Sequence, residues 1–172
     1  MEQKRNNTQL INAYYGDGFI DACKDGRWTE RNIKCMLDWM YGEKRRKLWK
    51  LFQYMRPKIE NIRHIIREDY VSAMGILASY RRLTSEAQEY LLNHGSSRMR
   101  KAYNQYWKFD KRFDVEFVKK ANHAEVQLYL SRYGDEMDDE AYNIAVNVKK
   151  LNPRYRIATK PHRQDLSKPK KD

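Results

Sequence analysis

Leu51, Leu77, Tyr103 and Leu130 occupy one register of a tandem period. Tyr54, Tyr80, Tyr106 and Tyr133 occupy a second, Ile65, Leu91, Phe117 and Ile144 a third, and Ile66, Leu92, Val118 and Ala145 a fourth. The steps are 26, 26 and 27 residues in every set. A unit this short cannot bury its own apolar face and has to lie against copies of itself. The period therefore demands an elongated body that offers surface, rather than a globe built around a pocket.

Inside each unit the apolar spacing is helical. Leu48, Leu51, Phe52 and Met55 fall at i, i+3, i+4 and i+7, one stripe of a helix that Pro57 ends. A partner helix from about Ile59 to Asp69 is expected to bury Ile59, Ile62, Ile65 and Ile66. The second unit reads as helices over Ser72–Tyr80 and from Thr84 to Asn93, with Thr84 as N-cap. Asn93-His94-Gly95 reads as a helix stop, with Gly95 in left-handed geometry. The third unit is predicted over Arg98–Trp107 and Asp114–Asn122, with Asn122-His123 at its stop. The fourth is predicted over Glu125–Tyr133, and from an Asp138 or Asp139 cap to about Leu151. Ahead of the units lie two short helices near Leu10 and Phe19, then a helix capped by Thr29 and closed by Gly42. The expected fold is all-α: a right-handed stack of about four short helical hairpins (47–152), an N-terminal helical cap (1–46) and an extended basic arm (153–172).

Two helices of roughly ten residues per unit are too short for the tetratricopeptide or ankyrin periods. The Leu-x-x-Tyr pattern and the later paired apolar positions resemble the compact hairpin repeats of the HEAT-like group, such as the leucine-rich variant type. The resemblance spans about Lys47 to Leu151 and implies architecture alone, with no active site carried over.

The net charge of +12 is unevenly placed. Residues 1–56 carry 12 basic and 7 acidic side chains, residues 57–150 carry 16 and 14, and residues 151–172 carry 7 and 2. The excess sits at the two ends, which points to contact there with a polyanion or an acidic protein surface. No run approaches the ~20 apolar residues of a membrane span. The start, MEQKRNN, has no apolar stretch behind its bases, so no signal peptide is expected. Cys23 and Cys35 are too few for a disulfide framework and read as buried thiols in a reducing compartment, a 23–35 bridge being the alternative.

The candidate contact residues follow from that distribution. Lys44, Arg45, Arg46, Lys47 and Lys50 crowd the start of a helix, where cations oppose the helix dipole. With Trp49 and Tyr54 they form a basic-aromatic segment suited to phosphates and bases, or simply a solvated first turn. Arg154, Arg156, Lys160, Arg163, Lys168, Lys170 and Lys171 make the arm a tether for nucleic acid or an acidic neighbour, and Tyr155, Ile157 and Leu166 give it apolar anchors. Tyr54, Tyr80, Tyr106 and Tyr133 are candidates for base stacking, one per unit, against the plainer reading of packing between units. His64, His94, His123 and His162 show no metal-ligand spacing with either cysteine. Glu136, Asp138, Asp139 and Glu140 read as acids at a helix N-terminus.

No phosphate-binding glycine loop and no catalytic triad stands out, and no cofactor or metal is expected. The leading expectation is a non-catalytic structural or interaction subunit of a larger assembly, a nucleoprotein complex or viral particle. The alternative is a free-standing DNA- or RNA-binding protein of low specificity. An enzyme on a HEAT-like scaffold would need an exposed acid beside an aromatic wall, and the sequence offers no such set. Expected partners are other protein subunits, nucleic acid and a second copy of the chain, with no membrane. The expected location is intracellular or within a viral particle, not secreted.

Overall fold

A computed structural model of the chain describes residues 30–43 and 48–153. The two short helices expected near Leu10 and Phe19, the Thr29 cap, Cys23, the Lys44–Lys47 run and the arm from Arg154 onward lie outside the described residues. Among the described residues the protein is all helical, with nine α-helices and no strand. They are α1 Glu30–Glu43, α2 Leu48–Tyr54, α3 Ile59–Arg67, α4 Val71–Tyr80, α5 Ser85–His94, α6 Ser97–Asn104, α7 Asp114–Lys120, α8 His123–Tyr133 and α9 Asp139–Asn143. A 3₁₀ turn, Lys111–Phe113, leads into α7, and a π turn, Ile144–Val148, continues α9.

Each helix forms where an apolar stripe coincides with a cap. Ile33, Met36, Leu37 and Met40 make the buried stripe of α1, and Leu48, Leu51 and Phe52, with Met55 just beyond, that of α2. Thr84, Ser96, Asn122 and Asp138 each accept a backbone N–H of the following turn, which satisfies one of the donors a helix start leaves open. Glu125 completes a capping box on Asn122. The helices pack at a fixed sequence offset: α1 on α3, α2 on α4, α3 on α5, α4 on α6, α6 on α8 and α7 on α9.

The same offset recurs in hydrogen bonds at helix ends. The Phe52 carbonyl accepts from Arg81 Nη2 at 3.0 Å, the Ala78 carbonyl from Trp107 Nε1 at 2.6 Å and the Asn104 carbonyl from the Tyr133 hydroxyl at 2.9 Å. Donor and acceptor are 29 residues apart each time. The carbonyls lie in the last turns of α2, α4 and α6, where the helix itself supplies no donor. In the repeat register Gly134 stands where Arg81 and Trp107 stand earlier. Its neighbours Tyr133 and Arg132 take over, Arg132 Nη1 reaching the same Asn104 carbonyl at 3.3 Å.

Two buried polar side chains do similar work on the partner helices. Gln88 accepts the Asp110 N–H at 2.7 Å and donates to the Leu83 carbonyl at 2.9 Å. Asp114 sits 26 residues later in the same register and is fully buried. It accepts the Asp138 N–H at 2.9 Å, the Tyr129 hydroxyl at 2.7 Å and Lys108 Nζ at 2.7 Å. Around them Tyr103, Phe109, Phe117, Tyr129 and Tyr133 form an aromatic cluster with neighbouring centroids 4.5 to 6.3 Å apart.

Several expected details change. Gly95 ends α5 but is extended, at φ −74°, rather than left-handed; among the described residues the non-glycine residues with positive φ are Asp69 and Lys150. What Gly95 needs is space, because a Cβ there would stand 2.5 Å from the Leu91 carbonyl oxygen. Asn122 caps the start of α8, so that helix begins at His123 rather than Glu125. α1 runs one residue past Gly42, to Glu43. α6 stops at Asn104, short of Trp107, whose indole is drawn to the Ala78 carbonyl. Ile59 is half-buried rather than core. The helix expected to reach Leu151 closes earlier, through the π turn and a chain reversal at Lys150.

Candidate functional site

The turns that follow α2, α4 and α6 hold the cations that stand out on the described surface. Arg56 and Lys58 lie in the first turn, Arg81 and Arg82 in the second, and Lys108, Lys111 and Arg112 in the third. Asp110 is the one acid in these three turns. Geometry sets the turns side by side. Arg81 reaches back to the Phe52 carbonyl. Its guanidinium pKa is held below the usual value by burial and then by the like charge of Arg56. Arg82 reaches forward to Asp110 Oδ1 at 2.7 Å and toward the Lys108 carbonyl at 3.4 Å.

Asp110 is spoken for within this edge. Partial burial raises its pKa, but the Ser85 hydroxyl bond, the Arg82 charge and the Gln88 amide outweigh that and hold the carboxyl below the ordinary carboxylate value. Lys108 turns inward to Asp114 and the Phe109 carbonyl. Arg56, Lys58, Arg82, Lys111 and Arg112 remain exposed. A cleft of about 310 Å³ opens between the third and fourth turns, walled by Arg82, Trp107, Asp110, Lys111, Tyr133 and Glu136 among others. In the fourth turn the sign reverses, with Asp135 and Glu136 exposed.

Of the residues singled out from sequence, Lys50 and Trp49 are half-buried on α2, the ammonium 5.3 Å from the indole centroid. Tyr80 and Tyr133 are 7% and 2% exposed, and the Tyr133 hydroxyl is committed to Asn104. Those two rings are core, so the expected strip of stacking tyrosines is interrupted: a base cannot reach them unless the helices part. Tyr106 is half-buried, and Tyr54 ends α2. Lys44, Arg45, Arg46 and Lys47, and all seven cations of the arm, lie outside the described residues.

The turn edge was legible in the sequence. Arg56, Arg82 and Lys108 share one register, 26 residues apart, and Asp135 follows at 27. Comparing only apolar positions between units passes over them.

A second polar cluster joins α1 to the following helices. Buried His64 Nε2 lies 2.6 Å from Asp38 Oδ1, which also accepts the Tyr70 hydroxyl at 2.9 Å. Burial, and then the bond to Asp38, push the Tyr70 pKa up to about 12. Tyr70 also stacks on Tyr41 with centroids 4.1 Å apart. This cluster ties the first described helix to its neighbours.

Among the described residues no group of three or more His, Cys, Asp or Glu side chains is placed to hold a metal ion. Cys35 is a free, half-buried thiol. No helix among the described residues is long and apolar enough to cross a membrane. The chain matches no protein-family model, no curated protein and no solved structure.

Proposed function

We propose that this chain is a non-catalytic interaction subunit of a larger assembly, a nucleoprotein complex or a viral particle. In this reading the body is a right-handed pile of four helical hairpins resembling the HEAT-like, leucine-rich-variant repeats. Its support is the constant span of the bonds between helices, each joining residues 29 apart. The observation that carries the function is the set of five exposed cations, Arg56, Lys58, Arg82, Lys111 and Arg112, against the single acid Asp110 in three successive turns. A polyanion laid along that edge gains one phosphate contact per exposed cation and releases condensed counterions as it binds. Hydrogen bonds of Arg81, Arg82 and Asp110 hold the second and third turns in place, which lowers the ordering cost of the backbone that carries the cations.

The sign reversal at Asp135 and Glu136 favours a subunit over a free-standing nucleic-acid binder. A long strand following the edge meets repulsion at the fourth turn, whereas a basic protein surface is attracted there. The test is binding of the full chain to a single-stranded RNA and to a DNA duplex across a salt series. Neutralising Arg56, Arg82, Lys111 and Arg112 to Ala reduces the slope of log K against log salt by roughly two to four. An unchanged slope rejects the edge as the contact. Native mass spectrometry of a pull-down then separates the two readings: a stable protein partner supports the subunit, and nucleic acid alone supports the free-standing binder.

A further inference from the structure

The cleft between the third and fourth turns is walled by both signs of charge. Arg82 and Lys111 come from the second and third turns and Glu136 from the fourth, and all three are exposed. Asp110, the other acid of the cleft, is committed to Arg82, the Ser85 hydroxyl and the Gln88 amide. It holds Arg82 in place while leaving that side chain 46% exposed. Trp107 adds a ring. It is half-buried, and its indole N–H donates to the Ala78 carbonyl at 2.6 Å, so the ring is fixed before anything binds. Phe109 and Tyr133 also line the cleft, but at 0% and 2% exposure they offer it little surface.

These walls select a ligand with unlike ends. A phosphate is attracted by Arg82 and Lys111 and repelled by Glu136. An amino group is accepted at Glu136, since a carboxylate has acceptor sites for several donors at once. A nucleotide carries both groups, with a planar ring between them that suits an indole. At about 310 Å³ the cleft lies at the small end of the range for ligand sites, room for one such unit and not for a helix.

We propose that the cleft seats one unpaired base of a single-stranded nucleic acid. The phosphate lies on Arg82 and Lys111, the ring against Trp107, and the exocyclic amino group donates to Glu136. The proposal rests on the turn edge as a polyanion contact and names the polyanion. A duplex is stiff over a persistence length of about 50 nm and has to continue past Asp135 and Glu136, whereas a single strand turns aside after the cleft. A duplex also keeps its bases stacked and supplies none to the cleft without flipping it out.

The test measures binding of the full chain to oligocytidylate, oligouridylate, a DNA duplex and inorganic polyphosphate at one salt concentration. Both single strands are expected to bind more tightly than the duplex or the polyphosphate. Oligocytidylate is expected to exceed oligouridylate by about fivefold or more, because the cytosine amino group donates where uracil presents a carbonyl. Glu136→Gln removes that preference, since a glutamine amide both donates and accepts, with the far-ultraviolet circular dichroism unchanged. Iodocytidine in the strand photocross-links to Trp107. Binding of none of the four probes rejects the turn edge and the cleft together. Equal binding of all four leaves the edge standing and overturns the cleft. So does the absence of a cytidine preference, a preference untouched by Glu136→Gln, or cross-links confined to Trp39 or Trp49.

Discussion

Asp114→Ala is expected to be among the most damaging single changes in the described body. The carboxylate is fully buried, and three donors converge on it: the Lys108 ammonium, the Tyr129 hydroxyl and the Asp138 N–H. Alanine leaves all three facing a void. Lys108 keeps the Phe109 carbonyl at 3.2 Å but loses its counter-charge in a place where its side chain is 11% exposed. Removing one partner of a buried ion pair costs about 3–5 kcal/mol, chiefly through the charge left behind. For a chain of this size each kcal/mol corresponds to roughly 2–4 °C, so the melting midpoint falls by about 6–20 °C. Urea unfolding followed by circular dichroism, with a thermal melt beside it, measures both. The control is Lys108→Met with Asp114→Leu, which removes both charges and refills the space. It is expected to recover part of the loss, because the unpaired charge is gone while the Tyr129 hydroxyl and the Asp138 N–H still lack their acceptor. A loss below about 1 kcal/mol for Asp114→Ala refutes the reasoning, as does a double variant no better than the single.

Gly95→Ala destabilises by about 1–3 kcal/mol, because the new methyl meets the Leu91 backbone carbonyl and the end of α5 has to open. Gly75→Ala is neutral or stabilising by up to about 1 kcal/mol, since its methyl finds Ala102 Cβ at an ordinary 4.0 Å and helix propensity improves; urea midpoints for the two variants check the contrast. Partial burial disfavours the charged forms of Asp110 and Glu125, yet bonds from Ser85 and Arg100 respectively, with their neighbours, leave both below the ordinary carboxylate values. Their contribution is complete above the unfolded carboxylate pKa of about 4 and is lost as pH falls through the folded values, so unfolding free energy drops as pH falls below about 5, and Glu125→Gln flattens that drop. Burial holds Tyr103 and Tyr129 un-ionised well above the ordinary tyrosine value. Absorbance titration at alkaline pH therefore shows their ionisation coinciding with unfolding.

Helix positions were readable from the sequence wherever stripe and cap agreed. Thr84 placed α5 within a residue, and the Asp138 or Asp139 cap placed the start of α9 though not its end. Errors arose where a distant partner overrode local preference. Trp107 leaves the helical path because the Ala78 carbonyl needs a donor, and no local rule records that need. Asn122 is equally suited to a helix stop and a helix start; only Glu125 folding back onto its N–H decides between them. Gly95 suggested a left-handed residue, but the crowding comes from Leu91, one helical turn earlier. The burial of Tyr80 and Tyr133 agrees with packing, the plainer of the two readings of the tyrosine register. The turn cations were visible at 56, 82 and 108 yet carried no apolar signal to draw attention to them.

The bonds from Arg81, Trp107 and Tyr133 point backward along the chain, each finishing a helix made earlier. During synthesis α2 therefore emerges with an open end that closes only once residue 81 has left the ribosome, and α4 likewise waits for residue 107. Order spreads from the first-made helices toward the last, each addition sealing its predecessor. A chain that stops shortly before residue 81, 107 or 133 thus loses more than the segment it lacks, because the end of α2, α4 or α6 stays open.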